Sequence, residues 1–516
     1  MILASFFVVA FGHPTNSRWL SAVAACLGYA LFWKGALEVR RPFWLAALWF
    51  GAVQAVQLSW LTSTVYMGSG ILVVYAFLVI ALGLQFGWMT HLLKQPLTWL
   101  RILGAAGFWV WMEWVRLLPF TGFPWNPVGL SLASHPWSIQ WASLFGVYGL
   151  SFWVILTNLS FLKNPKIFAV MALVPYAFGV LHQTYWSQKN SNIPPLQVAL
   201  VQTALRNEQK DYDRSQPKEF ISPFHQWERI LWSLRDTKVS QYDLIVLPEA
   251  ALPFGNHREV YLKETVQEVW ESCFGKTIDF SLVLTNKVSN SFWAQSLANH
   301  FGAEVVIGLD SVDSSGKYNA AFHFVPRKES VGRYEKRMLV PVGEYVPLKE
   351  WKVVASFLSK EFGIEDSFDV GKGPKVFTGK TGLGVCICSE EIYGELIRGV
   401  RKAGAELLVN VTNDSWFPKT QLPNVHFLHG QVRAAENGVG VVRACNTGVT
   451  GAIDRFGRVI DVLGVSEETA GVLTVQVIPE SHPTAYTFWG DTAILLLSTI
   501  FIVCLRKRLP EYIPLN

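Results

Sequence analysis

At 516 residues the chain has room for two or three domains; 51% of it is hydrophobic and 16% charged, against the roughly 25% charged of soluble proteins. A net charge of +5, spread without a basic block, argues against a nucleic-acid surface. The averages conceal a division, because Glu38 and Glu113 are the only acidic residues before residue 191 and the rest of the 39 lie beyond it.

Apolar runs long enough to cross a bilayer core, about 17–25 residues, lie near residues 1–17, 20–36, 43–61, 69–93, 99–117, 137–161 and 167–185, with a last one at 487–505. The run from Met1 to Gly12 lacks the basic start and small-residue cleavage site of a signal peptide, so it reads as a short first span. Lys34, Arg40 and Arg41 follow the second run, Lys94 and Arg101 flank the fourth loop, Lys163 and Lys166 follow the sixth run, and Arg506, Lys507 and Arg508 follow the last. The intervening loops, Ser63 to Ser69 and Leu118 to Ser134, carry no Lys or Arg. Positive loops mark the cytoplasmic side. The expected topology therefore has eight spans and both termini inside. It makes residues 1–189 a seven-span membrane domain, 190–483 an extracytoplasmic domain, and 484–516 a closing span with a basic tail.

One carboxylate, Glu113, falls inside a span. It is either a group placed near a reaction or the partner of Arg116 one helical turn on, and the second reading is preferred. The outer loop Thr121 to Leu130 (TGFPWNPVGL) is rich in Pro, Gly and Trp and suits an interfacial loop beside a lipid-accessible cleft.

From Leu196 the pattern changes to short β-branched runs separated by helix-length polar stretches. QVALVQTAL, DLIVLPEAAL, VVIGLDSV, GVCICSE, ELLVNVTND and GVVRACNTG are strand-sized with turn residues at their ends. Strands alternating with helices predict an α/β sheet covered on both sides, with chemistry at strand C-terminal ends. Three such positions stand out: Glu249 after DLIVLP, Lys336 in GRYEKRMLVPVGEYVPL, and Cys388 in GVCICSEEIYGE. Together they form a set for acyl transfer. A thiol attacks as thiolate and needs a carboxylate to take its proton or a cation to depress its pKa. A Lys ammonium and a backbone N–H can hold the oxyanion. Singly, each has a plain structural alternative: a helix cap, a solvated loop charge, a small buried hydrophobe.

The six cysteines (Cys26, Cys273, Cys386, Cys388, Cys445, Cys504) form neither a disulfide framework nor a zinc pattern, and no metal or cofactor is expected. Cys386 and Cys388, two apart on a strand, would face the same way, so orientation alone does not separate them.

These motifs identify a resemblance to the carbon–nitrogen hydrolase (nitrilase) superfamily and, within it, to the bacterial apolipoprotein N-acyltransferases. It extends over essentially the whole chain: TGFPW and QWASLFGVYGLSF, then LVQTA, LPEAALP, RYEKRMLVPVGEYVPL, ICSEEIYGE, LVNVTNDSWF, QVRAAENG and RACNTGVTGAIDRFG, and the closing span after TAYTFWGD. The resemblance implies an αββα sandwich and a Glu249–Lys336–Cys388 triad in a multi-pass protein of the bacterial inner membrane, with the catalytic domain on the periplasmic side. It also selects Cys388, which precedes Glu390 in the ICxE pattern, and leaves Cys386 as core. A membrane phospholipid would give its acyl chain to Cys388, and the thioester would pass it to the α-amine of a diacylglyceryl-modified apolipoprotein. Glu249 would carry the protons, while Lys336 and the Ser389 backbone N–H would hold the oxyanion. Glu344 and Glu390 would orient Lys336 and tune the triad, their plain alternative being salt bridges with loop cations.

The chain departs from the family pattern at Ser389, where Tyr is usual, at Asp211 for Trp, at Pro418 for Gly, and in LPNVH (Leu422 to His426) for GPxxH. These departures bear on substrate preference. The main alternative is a membrane-anchored amidase ending in water, for which one anchor helix would suffice. A non-catalytic paralogue would lack a triad member, and a transporter would carry more ionisable residues in its spans.

Overall fold

The structure is a computed structural model that describes all residues except 95, 190–191, 211–218, 282, 363–366, 467 and 508–516. The position 211 departure and Arg508 of the basic tail lie outside the described residues. The chain divides into two compact units: Met1–Asn190 with Ala435–Gly438 and Pro483–Asn516, and Ser191–Ala434 with Val439–His482.

In the first unit, helices lie over every apolar run, but not all are continuous. The run at 20–36 is Arg18–Val23, a π-helical segment Ala24–Gly28, and Tyr29–Ala36. A π turn displaces the backbone bonding by one residue, and Asn158 closes the break: its Nδ2 donates to Ala25 O at 2.7 Å and its Oδ1 accepts from Ala30 N at 2.9 Å. In an apolar bundle an unmet amide is costly, so one Asn satisfies both sides. The helix Ala142–Lys163 is bent at Phe145 and Gly146. Gly146 has φ +67°, and a Cβ there would stand 2.4 Å from the Tyr486 ring, so both the backbone and the space demand glycine. Phe32, Trp49, Phe50, Phe86 and Trp109 fill the interior, with Phe32 and Trp49 stacked at 4.3 Å between ring centroids.

Among the described residues, three helices are long and apolar enough to cross a membrane: Ile71–Leu92, Ser138–Lys163 and Pro165–Gln188. Ile2–Phe11 and Asp491–Leu505 are shorter apolar helices. The Ile71–Leu92 helix exposes Val73, Phe77, Ile80 and Trp88, and Pro165–Gln188 exposes Val170, Leu173 and Leu181. Such continuous apolar faces are unfavourable in water.

Glu113 is buried, and among the described contacts no hydrogen bond or close ion pair joins it to Arg116. Its Oε1 accepts from the Trp109 indole and from the Val128 backbone N–H, both at 2.8 Å. Arg116 is the C-cap residue of the helix Trp99–Val115, and its guanidinium reaches Gln85 at 2.9 Å. The carboxylate braces a loop to its own helix.

Among the described residues, the second unit holds fourteen strands: β1 Leu196–Gln202, β2 Leu244–Leu247, β3 Tyr261–Leu262, β4 Lys287–Val288, β5 Glu304–Asp313, β6 Gly316–Phe324, β7 Gly332–Glu335, β8 Val376–Thr378, β9 Gly382–Ile387, β10 Leu407–Thr412, β11 Gly440–Cys445, β12 Gly448–Ile453, β13 Val459–Ser466 and β14 Gly471–Val477. Apart from the β3–β4 pair they form two six-stranded sheets, ordered β14-β1-β2-β5-β6-β7 and β13-β12-β11-β10-β9-β8. Each has a parallel centre, β1-β2-β5 in one and β9-β10-β11 in the other, flanked by antiparallel strands.

Alternation along the strands builds three layers of core. Val198, Leu200, Leu244 and Val246 meet Val385, Ile387, Val409 and Val411 in one cluster between the sheets. Their neighbours Ala199, Val201, Ile245 and Leu247 face the helices Pro223–Asp236, Lys263–Phe274 and Asn290–Phe301. Cys386, Leu408 and Val441 face the helices Gly394–Lys402 and Leu422–Asn437 on the far side of the other sheet. Both faces of every central strand are buried, which is why those strands read as continuous apolar runs. The result is an αββα sandwich, as the family resemblance implies.

Candidate active site

Glu249, Lys336 and Cys388 each follow a strand end: β2, β7 and β9 respectively. Two of these turns carry left-handed backbone at non-glycine residues, Ala250 with φ +41° and Cys388 with φ +52°. Such conformations cost of order 1–3 kcal/mol and persist where surroundings enforce them. The turn after β2 is enforced partly by Gly308 on β5, where a Cβ would lie 2.6 Å from Glu249 Cα. Gly308 N donates to Pro248 O at 3.1 Å, and Ala251 N returns a bond to Gly308 O at 2.7 Å.

Lys336 is 1% exposed and Glu249 6%. The ammonium donates to Glu344 Oε1 at 2.8 Å and to Glu249 Oε1 at 3.2 Å. Asn319 on β6 donates from Nδ2 to the same two oxygens, each at 2.7 Å, and its backbone carbonyl accepts from Lys336 N at 2.9 Å. Glu344 Oε2 accepts from Val340 N at 2.8 Å, tying the carboxylate to its own loop. Burial alone would push the Lys336 ammonium down, but Glu249 and Glu344 outweigh it and hold it well above the ordinary lysine range. A permanent cation thus stands between two carboxylates.

Both groups act on the Cys388 thiol. Burial and then Glu249 push the thiol up, and Lys336 pulls it back, leaving it pushed up to about 12. At neutral pH it is a thiol, so attack requires a base at that moment.

The two neighbouring cysteines do not face the same way. β9 ends at Ile387, and Cys388 opens a short 3-10 helix, Cys388–Ile392, in the left-handed region. Its side chain packs against the cluster between the sheets, whereas Cys386 lies in the cluster on the helix side. The alternation rule fails at Cys388 because that residue is no longer strand.

Glu344 touches Lys336 directly, but Glu390 does not among the described contacts. The Glu390 carboxylate accepts from Arg337 N at 2.6 Å, Ile387 N at 2.8 Å and the Tyr334 hydroxyl at 2.8 Å. It ties the backbone just after Lys336 to the backbone just before Cys388. Ser389 is buried in the first turn of the 3-10 helix, where leading N–H groups have no carbonyl one turn back. Pro418 is half-buried in the loop before the helix Leu422–Asn437.

Sequence reasoning missed Asn319, and the signal was there: an Asn inside the apolar strand GKYNAAFHF. It also missed a buried network of Glu391, Asp414, His426 and Arg443. Arg443 is fully buried mid-strand in GVVRAC, a charge where a core residue would stand.

Residues 197–487 match the carbon-nitrogen hydrolase family and residues 5–160 the apolipoprotein N-acyltransferase N-terminal domain. An apolipoprotein N-acyltransferase of Chlamydia pneumoniae is 32% identical, across 96% of this chain and 94% of the relative. The chain belongs to the apolipoprotein N-acyltransferase family. A relative of the same name from Chlamydia caviae is also 32% identical, over 98% of this chain and 96% of its own length. One from Pasteurella multocida is 27% identical over 95% and 92%. These relatives thus align with this chain over nearly the whole of its length.

Proposed function

We propose that the chain is an apolipoprotein N-acyltransferase that works through a cysteine thioester in two steps. A membrane phospholipid acylates Cys388 and leaves as lysophospholipid. The α-amine of an N-terminal diacylglyceryl-cysteine then takes the acyl chain. Glu249 accepts the thiol proton in the first step and delivers it to the leaving alkoxide; in the second it accepts the amine proton and returns it to the departing Cys388 thiolate as the C–S bond breaks. Lys336 and the Ser389 N–H stabilise the tetrahedral oxyanion in both. The observation that carries the reading is the buried Lys336 ammonium shared by Glu249 and Glu344, acting with Glu249 on the thiol of a left-handed Cys388. An α-amine suits the acceptor role because its pKa of about 7.7–8.0 leaves an appreciable neutral fraction at neutral pH.

The discriminating experiment separates transfer from hydrolysis, which share the first step. Acyl-enzyme formed from phospholipid should persist in buffer and discharge rapidly on adding a diacylglyceryl-cysteine peptide with a free N-terminus. The N-acetylated peptide should leave it intact. Loss to water at one rate regardless of acceptor, with free fatty acid as product, would replace this reading with a membrane-anchored hydrolase.

The chain is a membrane protein. We further propose eight spans in the bacterial inner membrane, both termini cytoplasmic, with residues 1–189 and 484–516 forming the membrane domain and 190–483 the periplasmic catalytic domain. The Lys and Arg loop pattern supports this sidedness, and the exposed apolar helix faces support lipid contact. Compartment reporters fused after Lys189 and at the C-terminus should read periplasm and cytoplasm respectively. A cytoplasmic signal after Lys189 overturns the topology.

A further inference from the structure

Cys388 is gripped through its carbonyl as well as presenting its thiol. The Cys388 oxygen accepts from Asn410 Nδ2 at 3.1 Å and from His426 Nε2 at 3.2 Å. Asn410 stands on β10 beside β9, and His426 lies in the second turn of the helix Leu422–Asn437. A carbonyl can only accept, so the His426 ring carries its hydrogen on Nε2. The other ring nitrogen is fixed from behind: Nδ1 lies 2.8 Å from Asp414 Oδ1 and 2.9 Å from Arg443 Nη2. Arg443 also binds Asp414 Oδ2 at 2.9 Å, and it pairs with Glu391. All four side chains are almost wholly buried. Buried ion networks are weak devices for stability, since desolvation offsets their attraction. This one ends on the backbone of the proposed nucleophile.

We infer that Asn410 and His426 are positioning residues for the oxyanion site, clamping the Cys388–Ser389 peptide by its carbonyl so that the Ser389 N–H on its opposite edge is fixed and polarised. In a trans peptide C=O and N–H point in opposite directions. Two donors on the oxygen therefore set the direction of the N–H, and hydrogen bonds along one peptide group strengthen each other. The same grip holds Cys388 at its costly φ. The inference rests on the reading of Cys388 as nucleophile and the Ser389 N–H as oxyanion donor.

The test compares two reactions of one thiol in the purified full-length protein. Thioester formation from phospholipid passes through an oxyanion, whereas alkylation by iodoacetamide does not. Losing a whole oxyanion donor costs roughly 10²–10³ in rate, so releasing the clamp in His426→Ala should slow thioester formation about 10–100-fold. The KM for phospholipid should stay unchanged and Cys388 alkylation should remain within about threefold of wild type. His426→Gln, which keeps an N–H donor on the side chain, should recover at least half of the lost rate on a logarithmic scale. Asn410→Ser should behave as a milder His426→Ala. Mass spectrometry of the alkylated protein, with Cys386 and Cys445 still unmodified, verifies that each variant is folded. If His426→Ala exposes those thiols, His426→Gln and Asn410→Ser decide the question. Equal losses in both reactions, no loss in either, or failure of His426→Gln to recover would each overturn the clamp. A wild-type thioester that does not sit on Cys388 would instead overturn the reading beneath it.

Discussion

Cys388→Ala should abolish acyl loading from phospholipid, and Cys386→Ala should retain it within a few-fold. Loss of a nucleophile that acts as part of a unit costs on the order of 10⁶ in rate, far below any detectable thioester. Cys386 has no comparable role open to it. Its thiol is packed with Ile397, Val400 and Leu408 on the helix side of the sheet and accepts from Asn410 Nδ2 at 3.3 Å. Burial, with Glu391 and Glu390 next in effect, holds it well above the ordinary thiol range. Truncating it leaves a small cavity and costs about 1 kcal/mol, as for other deletions of a single buried heavy atom. The Cys388 thiol is also pushed up, but Lys336 acts on it in the favourable direction. Hydroxylamine should release the acyl group from wild type and Cys386→Ala alike. Labelling that survives Cys388→Ala and disappears with Cys386→Ala would reverse the assignment.

How far the residues announce this arrangement depends on whether a local rule governs them. The six apolar runs predicted as strands are β1, β2, β5, β9, β10 and β11, because a strand buried on both faces has only one way to be written. β6, β12, β13 and β14 went unread: GKYNAAFHF and GVTGAI mix Gly and polar residues, and their partners are chosen by pairing rather than by local pattern. The helices over the apolar runs were legible, whereas the π segment at Ala24–Gly28 was not, since it depends on Asn158 arriving from another helix. Glu344 was implied by the family resemblance, through the motif it shares with Lys336. Asn319 could not be paired with Glu249, 70 residues away, without the sheet order. The orientation of Cys388 was misjudged because two-residue periodicity holds only within a strand, and φ +52° ends the strand one residue earlier. His426 stands in a motif, LPNVH, read for its departures from the family and not for the ring that meets the Cys388 backbone.

Glu249→Gln and Lys336→Met should both reduce thioester formation at pH 7 by roughly 100-fold or more, while shifting the reactivity of the Cys388 thiol in opposite directions. With the thiol pushed up to about 12, iodoacetamide alkylation of wild type should climb with pH from 7 to 10 without a plateau. Glu249 raises the thiol pKa, so replacing its charge with an amide lowers it, and the alkylation profile moves to lower pH even as acylation fails for want of a base. Lys336 lowers the thiol pKa, so Lys336→Met moves the profile to higher pH. That variant also leaves Glu249 and Glu344 sharing the Asn319 amide without a cation between them. Removing one partner from such a buried group destabilises by about 3–5 kcal/mol. A thermal melt of Lys336→Met should therefore fall further below wild type than that of Glu249→Gln, which keeps the Lys336–Glu344 pair. Profiles that shift together, or acylation within tenfold of wild type in either variant, would mean that these two residues do not act on the thiol as base and oxyanion donor.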